Sequence, residues 1–351
     1  VMNGSVGWAC AGVYIPLYFY RKYGDDRLLR AYYDGMLRYA DFMIRRAGKW
    51  GGVYAKPMHL SHKNRKYAVN CGQSYGEWAE PNDVMAFQWY DFAAPHPEES
   101  TAYTYFTLKR VLEAAEILGK PETPQLKRIR EYSEGARRAY QELVTKEKFT
   151  LDTDRQAKLV RPLYMGLLTE EQTKFAEKRL IQAMEHYGWR LGTGFLSTPL
   201  ILDVLAELDI SYAYRLLENE EMPGWLFMPK SGATTIWEAW EGNTTKDKGI
   251  ASLNHYSKGA ACEWLTNTMC GIRLDGENRF VLAPRPGGSI TFARASYQSV
   301  YGSVKTDWAE TETGYRLAVT IPANTTAEVI LPDGSRRTAE AGTHQYEWKK
   351  A

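Results

Sequence analysis

The sequence predicts a mainly α-helical unit made of helical hairpins, followed by a small antiparallel β-sandwich. Two patterns predict it. Up to about residue 273, apolar residues recur at helical spacing between short turns. Beyond "GIRLDGENRF" the period changes to two, in short alternating runs separated by turn residues. At 351 residues the chain is long enough for two or three domains, and the change of pattern divides it into 1–273 and 274–351.

Helical segments are expected near 9–23, 27–47, 101–118, 124–147, 152–167, 170–187, 199–207, 210–221 and 253–271. In "STAYTYFTLKRVLEAAEILGK", Leu108, Val111, Leu112, Ala115 and Leu118 share one stripe. Ser100 or Thr101 is placed to cap its start, and Gly119 with Pro121 ends it. The next helix opens at Thr123-Pro124, a cap followed by proline in the first helical position. Its apolar face is Leu126, Ile129, Ala136, Tyr140 and Leu143. "TEEQTKFAEKRLIQAMEHYG" begins with a capping box from Thr169 to Gln172 and closes at Gly188. Short connections between several segments argue for antiparallel hairpins. In the last part, "SITFARASY", "GSVKTDWAE", "YRLAVTIP" and "TAEVILP" alternate. Pro286-Gly287-Gly288, Gly302, Asn324 and Pro332-Asp333-Gly334 punctuate them, as in a small sandwich.

Composition narrows the function. A net charge of +2 with 25% charged residues argues against a basic nucleic-acid face and against an acidic disordered tail. No apolar run approaches the roughly 20 residues of a membrane span. The first residues lack the basic region of a signal peptide and read as a helix entered partway through a domain. Cys10, Cys71, Cys262 and Cys270 are scattered without a CxxC pair. Free, mostly buried thiols are therefore expected, and no metal or cofactor. The chain carries 11 Trp and 24 Tyr, residues whose flat face and polar tip suit sugars as well as cores.

Four stretches stand out. "SGATTIWEAWEG" holds Glu238 and Glu241, each beside a tryptophan. If a helix starts near Trp237, the two carboxylates share a face. They are then closer than the roughly 6.5–9.5 Å that separates the acid and base of an inverting glycosidase. At most one of them is catalytic on this reading. Helix capping, or pairing with Lys230 or Lys246, is the alternative. "ASLNHYSKGAACEWL" places Asn254, His255 and Tyr256 before a helix, as a cap or as site residues. "GQSYGEWAEP" sets Glu77, Trp78 and Glu80 in a Gly/Pro-framed loop, within a Tyr/Trp-rich stretch from 49 to 99 that is expected to be ordered. "RLGTGFLSTP" has glycines on both sides of Thr193, which allow close approach of a ligand or a turn between helices. The basic run "KRIREYSEGARR" reads as a solvated helix face.

With these residues together, the chain resembles the bacterial α-L-rhamnosidases, glycoside hydrolase family 78. "GWACAGVYIPLYFYRKYGDDRLL" is similar to the family's Gly-Trp-Gly-Asp-Ala helix, and "SYGEWAEP" to its Tyr-Gly-Asp-Trp loop. "RLGTGFLSTP", "GATTIWEAWEG" and "LNHYSKGAACEWL" match family segments closely, and "LAPRPGGSITFARASYQSVYGSV" resembles the start of its C-terminal β-domain.

The resemblance implies an (α/α)6 six-hairpin toroid followed by the β-sandwich, and hydrolysis of terminal α-L-rhamnose with inversion. Carried over by motif, Glu238 is the general base. His255 contacts the sugar, and Trp78 and Trp8 line the pocket. Glu77, Trp237, Thr193 and Asn254 fall among the substrate-binding positions. The implied partner is a rhamnose-containing oligosaccharide or glycoside, with no nucleic acid and no membrane. The chain also departs from the pattern. The segment that carries the family's general acid is not matched, and nine helical segments stand where twelve are expected. The chain is therefore expected to begin inside the catalytic domain and to be inactive alone. Ala9-Cys10 stands where the family has Gly-Asp, and Glu77 replaces an Asp. A non-catalytic sugar-binding relative, or an inverting hydrolase for another α-linked sugar, are the competing readings.

Overall fold

Helices come in pairs, and the pairs share an inner side. The computed structural model describes residues 5–49, 51, 57–86, 88, 94–242, 244 and 251–349. Its helices are α1 (Ala11–Tyr23), α2 (Arg27–Arg46), α3 (His62–Arg65), α4 (Pro97–Ile117), α5 (Pro124–Leu143), α6 (Gln156–Met165), α7 (Glu170–His186), α8 (Thr198–Leu208), α9 (Ile210–Leu217), α10 (Phe227–Lys230) and α11 (Ala261–Trp264). The hairpins are α1–α2, α4–α5, α6–α7 and α8–α9. Their first members touch in succession, α1 to α4 to α6 to α8, and α8 touches α11. These form the inner layer, with α2, α5, α7 and α9 outside. Inner α4 is buried along most of its length, whereas outer α5 hides only a stripe that includes Leu126, Ile129, Ala136, Tyr140 and Leu143.

Local signals act as expected at two starts. Thr123 accepts from Leu126 N at 3.2 Å, and the Thr169–Gln172 capping box closes in both directions. Helix α4 is a correction. It begins at Pro97, so Ser100 and Thr101 do not cap it; both are buried within it, and the Thr101 hydroxyl accepts from Val69 N at 3.1 Å. The expected continuous helix over 253–271 is also corrected. It is a 3-10 turn over 257–260, then α11, then a wide π-type turn over 265–269. The carbonyls of Thr268, Met269 and Gly271 turn outward to accept from Arg285 N, Trp308 Nε1 and Ala283 N. Those bonds open the last helical turn and join it to the β unit. The basic face of α5 is exposed as expected, with one exception: a Cβ at Gly135 would lie 2.3 Å from the Tyr67 ring. There the 57–69 stretch packs on α5, with Met58, Tyr67 and Ala68 against Ala139 and Leu143.

The β unit has two four-stranded sheets. One holds β1 (Ile272–Leu274), β2 (Arg279–Leu282), β6 (Thr326–Ile330) and β7 (Arg336–Ala339) in the order β1-β2-β6-β7. The other runs β3 (Phe292–Ser299), β4 (Gly302–Glu310), β5 (Gly314–Ile321), β8 (Gly342–Lys349). Alternation puts Val304, Thr306 and Trp308 of β4 and Leu317, Val319 and Ile321 of β5 inward. One pair, β2 with β6, is parallel, a departure from an all-antiparallel sandwich. The helical and β units share one core, which runs from Trp264 and Met269 to Trp308. Among the described residues no helix is long and apolar enough to cross a membrane. All four cysteines are free; Cys10 and Cys270 are buried, while Cys71 is half-buried and Cys262 exposed.

Candidate active site

A cavity of about 1030 Å³ opens between the loop 75–81, the start of α4, α6 and the turn 238–241. Its first wall is an ion network. Arg161 of α6 is wholly buried and reaches Glu77 and Glu98 at 2.5 Å each. Arg155 binds Glu80 at 2.5 Å, and Glu99 lies 3.9 Å from both arginines. Tyr140 donates to Glu98 at 2.5 Å, while Ser197 N and Oγ donate to Glu77 at 2.7 and 2.9 Å. Four glutamates thus share two guanidiniums, with Arg161 wholly buried and Arg155 partly exposed. Burial lifts the Glu77 carboxyl to about 7 against the pull of Arg161. Burial also opposes the charge on Glu99, but Arg161, His96 and Arg155 outweigh it and hold that group at about 2.

The loop that presents Trp78 is bent by force of contact. Gly76, Trp78 and Ala79 all have left-handed backbones, with φ of 60°, 50° and 54°. The two non-glycine residues cost about 1–2 kcal/mol each. Three bonds impose the shape: Trp8 Nε1 donates to Gly76 O at 3.1 Å, and Phe195 N reaches both Glu77 O and Trp78 O, at 3.0 and 2.9 Å. A Cβ at Gly194 would sit 2.1 Å from Trp78 O. The glycine of "GTGF" therefore serves contact between two loops.

The facing wall carries Glu238, Trp240, Glu241 and Lys258. The stretch after Trp237 is not the helix that the Glu/Trp spacing suggested. Residues 237–242 form a turn, closed at Gly242 (φ 52°), where a Cβ would lie 1.9 Å from the Trp237 ring. A short ribbon holds it: Glu238 N donates to Ser252 O at 2.9 Å, and His255 N to Ile236 O at 2.8 Å. Ser252 N donates to Glu238 Oε2 at 2.8 Å. Glu238 Oε1 has no hydrogen-bond partner among the described residues. Glu241 lines the same cavity instead of lying on a helix surface. Beside the cavity runs an aromatic chain: Trp78 to Tyr75 at 5.5 Å, Tyr75 to Trp8 at 5.2 Å, Trp8 to Phe195 at 6.3 Å, and Phe195 to His255 at 4.8 Å between ring centres.

A model of the bacterial α-L-rhamnosidase six-hairpin glycosidase domain matches residues 1–269, and one of the bacterial α-L-rhamnosidase C-terminal domain matches residues 275–346. The chain belongs to this family. An α-L-rhamnosidase of Streptomyces avermitilis is 32% identical over 343 residues, which cover 94% of this chain and 30% of that protein. One of Formosa agariphila is 29% identical over 357 residues, covering 98% and 36%. The chain thus spans about a third of the length of these curated relatives. The crystal structure of the Streptomyces avermitilis α-L-rhamnosidase complexed with L-rhamnose superposes with a TM-score of 0.80 at 28% identity, over 99% of this chain and 33% of that one. The α-L-rhamnosidase of Aspergillus terreus shares the fold, with a TM-score of 0.77 at 24% identity over 97% of this chain and 38% of that one.

Against this α-L-rhamnosidase frame, the expected site residues separate into three groups. Glu238 and Trp78 line the cavity, as does Glu77, whose carboxylate is spent on Arg161 and Ser197. Trp8 and His255 belong to the adjoining aromatic chain; His255 Nδ1 accepts from Ser257 N at 3.3 Å, which leaves the ring hydrogen on Nε2 in the neutral form. The remaining three lie elsewhere. Trp237 is 3% exposed and packs in the core against Gly242. Thr193 is fully buried, its hydroxyl bonded to that of Thr198 at 2.8 Å. Asn254 is an exposed turn residue tied to the Ser252 hydroxyl. None of these three lines the cavity. Lys258, Trp240, Glu98, Glu99, Arg155 and Arg161 are lining or supporting residues that pattern reading missed. One signal was available: "HPEES" puts proline in a first helical position with two glutamates in the first turn.

Proposed function

We propose that this chain supplies the base side of an α-L-rhamnosidase that releases terminal α-L-rhamnose with inversion, divided into a catalytic helical domain over 1–273 and a β-domain over 274–351. The observation that carries it is the state of Glu238. One oxygen is oriented by Ser252 N, the other is left without a protein partner among the described residues, and the residue lines a cavity that Trp78 also walls. A carboxylate so held can take a proton from water as that water attacks the anomeric carbon. Trp78 offers an apolar face to the methyl group of a 6-deoxy sugar, with Trp8 and His255 backing that wall. The L-rhamnose bound by the Streptomyces avermitilis relative supports this substrate class.

The proton donor for the leaving group is not placed on the arginine-bound carboxylates of the facing wall. We assign it to the part of the relatives that these residues do not span, so the 351-residue chain alone should release little or no rhamnose. In the complete protein, Glu238→Gln should lower kcat on an aryl α-L-rhamnoside by about 10²–10⁴-fold. Proton NMR should show β-L-rhamnose as the first-formed product. A larger loss in Glu241→Gln than in Glu238→Gln moves the base to Glu241. First-formed α-L-rhamnose rejects inversion, and binding without turnover in the complete protein rejects the enzyme.

A further inference from the structure

The most confined charge near Glu238 belongs to Lys258. The residue is fully buried, yet it borders the cavity beside Glu238 and Glu241. Its Nζ donates to the Glu238 carbonyl oxygen at 2.6 Å and stands 3.5 Å from the centre of the Trp240 ring. Its own carbonyl accepts from Trp225 Nε1 at 2.8 Å, which pins the backbone from which the side chain reaches. Among the described residues the ammonium makes no ion pair.

A buried lysine in this state is costly. Methionine would fill much the same volume with no charge to desolvate. The geometry nonetheless gives the ammonium a definite task. It ties the 257–260 turn to the very peptide that carries Glu238, and its remaining field acts on the two glutamates of the turn. We propose that Lys258 is the positioning residue of Glu238: clasped between the Glu238 carbonyl and the Trp240 ring, it fixes the 237–242 turn and holds positive charge behind the cavity carboxylates. This rests on the reading of Glu238 as general base.

Burial lowers the Lys258 ammonium to about 7, against the opposing pull of Glu241 and Glu238, the charged groups that act on it. Its folded value lies below the ordinary 10.5, so Lys258 withdraws stability while protonated and returns it as pH rises from about 7 towards 10.5.

The test uses the complete protein with Lys258→Met, which removes charge and donor, and Lys258→Gln, which removes the charge and draws the donor back from the Glu238 carbonyl. Lys258→Met should lower kcat by about 10–100-fold with KM within about threefold, the signature of a base displaced by a fraction of an ångström. Its Tm at about pH 6 should equal or exceed that of the wild type, since a buried charge is gone. Should Lys258→Met not fold, Lys258→Gln is measured in its place, with the same loss of kcat expected. A lowered Tm with kcat unchanged marks a merely structural residue and overturns the inference. So does kcat within about threefold of a wild type that turns over, and the reading of Glu238 then stands. A wild type that releases no rhamnose sinks that reading instead, and Trp240 emission then decides for Lys258. The emission lost in Trp240→Phe should change between about pH 6 and pH 9 in the wild type and stay flat in the Lys258 variant. Equal behaviour in both overturns the clasp.

Discussion

On the wall built from the 75–81 loop, α4 and α6, Glu77, Glu80, Glu98 and Glu99 are buried and gripped by Arg155 and Arg161. On the facing wall, the Glu238 carboxylate has one backbone donor, and that of Glu241 has no hydrogen bond among the described residues. Residue type and cavity are the same, and the chemistry left to each side differs. A carboxylate whose lone pairs are taken by guanidinium works as a strut, and a proton that burial favours on it, as on Glu77, weakens that pairing instead of serving water. One with an oxygen to spare can exchange a proton with water. The difference also separates stability from activity, since damage to the first wall breaks ion pairs between buried groups, while damage to the second removes only the through-space pull of Glu238 or Glu241 on Lys258.

The comparison is tested most strongly at Arg161. Arg161→Met leaves Glu77 and Glu98 buried and uncompensated, and should cost about 3–5 kcal/mol in urea unfolding. Glu238→Gln should change stability by no more than about 0.5 kcal/mol. Equal losses would erase the distinction between the walls. Gly194→Ala comes next. Its methyl group would sit 2.1 Å from Trp78 O, so about 1–3 kcal/mol of overpacking is expected. A weaker quench of Trp emission by rhamnose should accompany it as the Trp78 loop is pushed away. Unchanged stability would mean that the two loops separate without penalty. The smallest effect concerns pH. Glu77 titrates at about 7 when folded and at an ordinary 4.5 when unfolded. Between those values the folded state keeps a proton that the unfolded state has lost, so stability falls as pH rises through this window. Glu99, held at about 2, acts oppositely: its contribution is present above 4.5 and is lost as pH falls towards 2. Glu77→Gln should flatten the decline in Tm between about pH 4.5 and 7. An unaltered decline would place its origin elsewhere in the network.

Helix existence was legible wherever one face is apolar and a cap is local, as in α5 and α7, because those signals act within a few residues. The start of α4 was misplaced because Ser100 and Thr101 look like caps in isolation, while the actual start carries no side-chain cap and depends on Pro97. Strand β7, with Arg336, Arg337 and Thr338 exposed, has no apolar alternation to detect. In the site, Glu238 was visible through its motif, but its setting was not. The 237–242 turn exists because Trp237 packs on Gly242 and the backbone bonds to 252 and 255, contacts no window of sequence contains. Lys258 falls within the expected 253–271 helix, and its burial goes with contacts to Trp240 and Trp225 that pattern alone does not bring to it. Trp237 and Asn254 each neighbour another expected site residue in sequence, and neither they nor Thr193 line the cavity.

The ribbon between 236–238 and 252–255 carries one more consequence, for variation of the sequence. Glu238 and His255 are anchored to each other's strand by Glu238 N to Ser252 O and His255 N to Ile236 O. The clasp lies outside the intervening stretch from Thr244 to Ala251. Substitution of Ala251, which lines the cavity one residue before this ribbon, can alter the cavity wall without shifting the register of Glu238 against His255. Selection, in the laboratory or in nature, has at Ala251 a place to vary the cavity wall at little risk to that register.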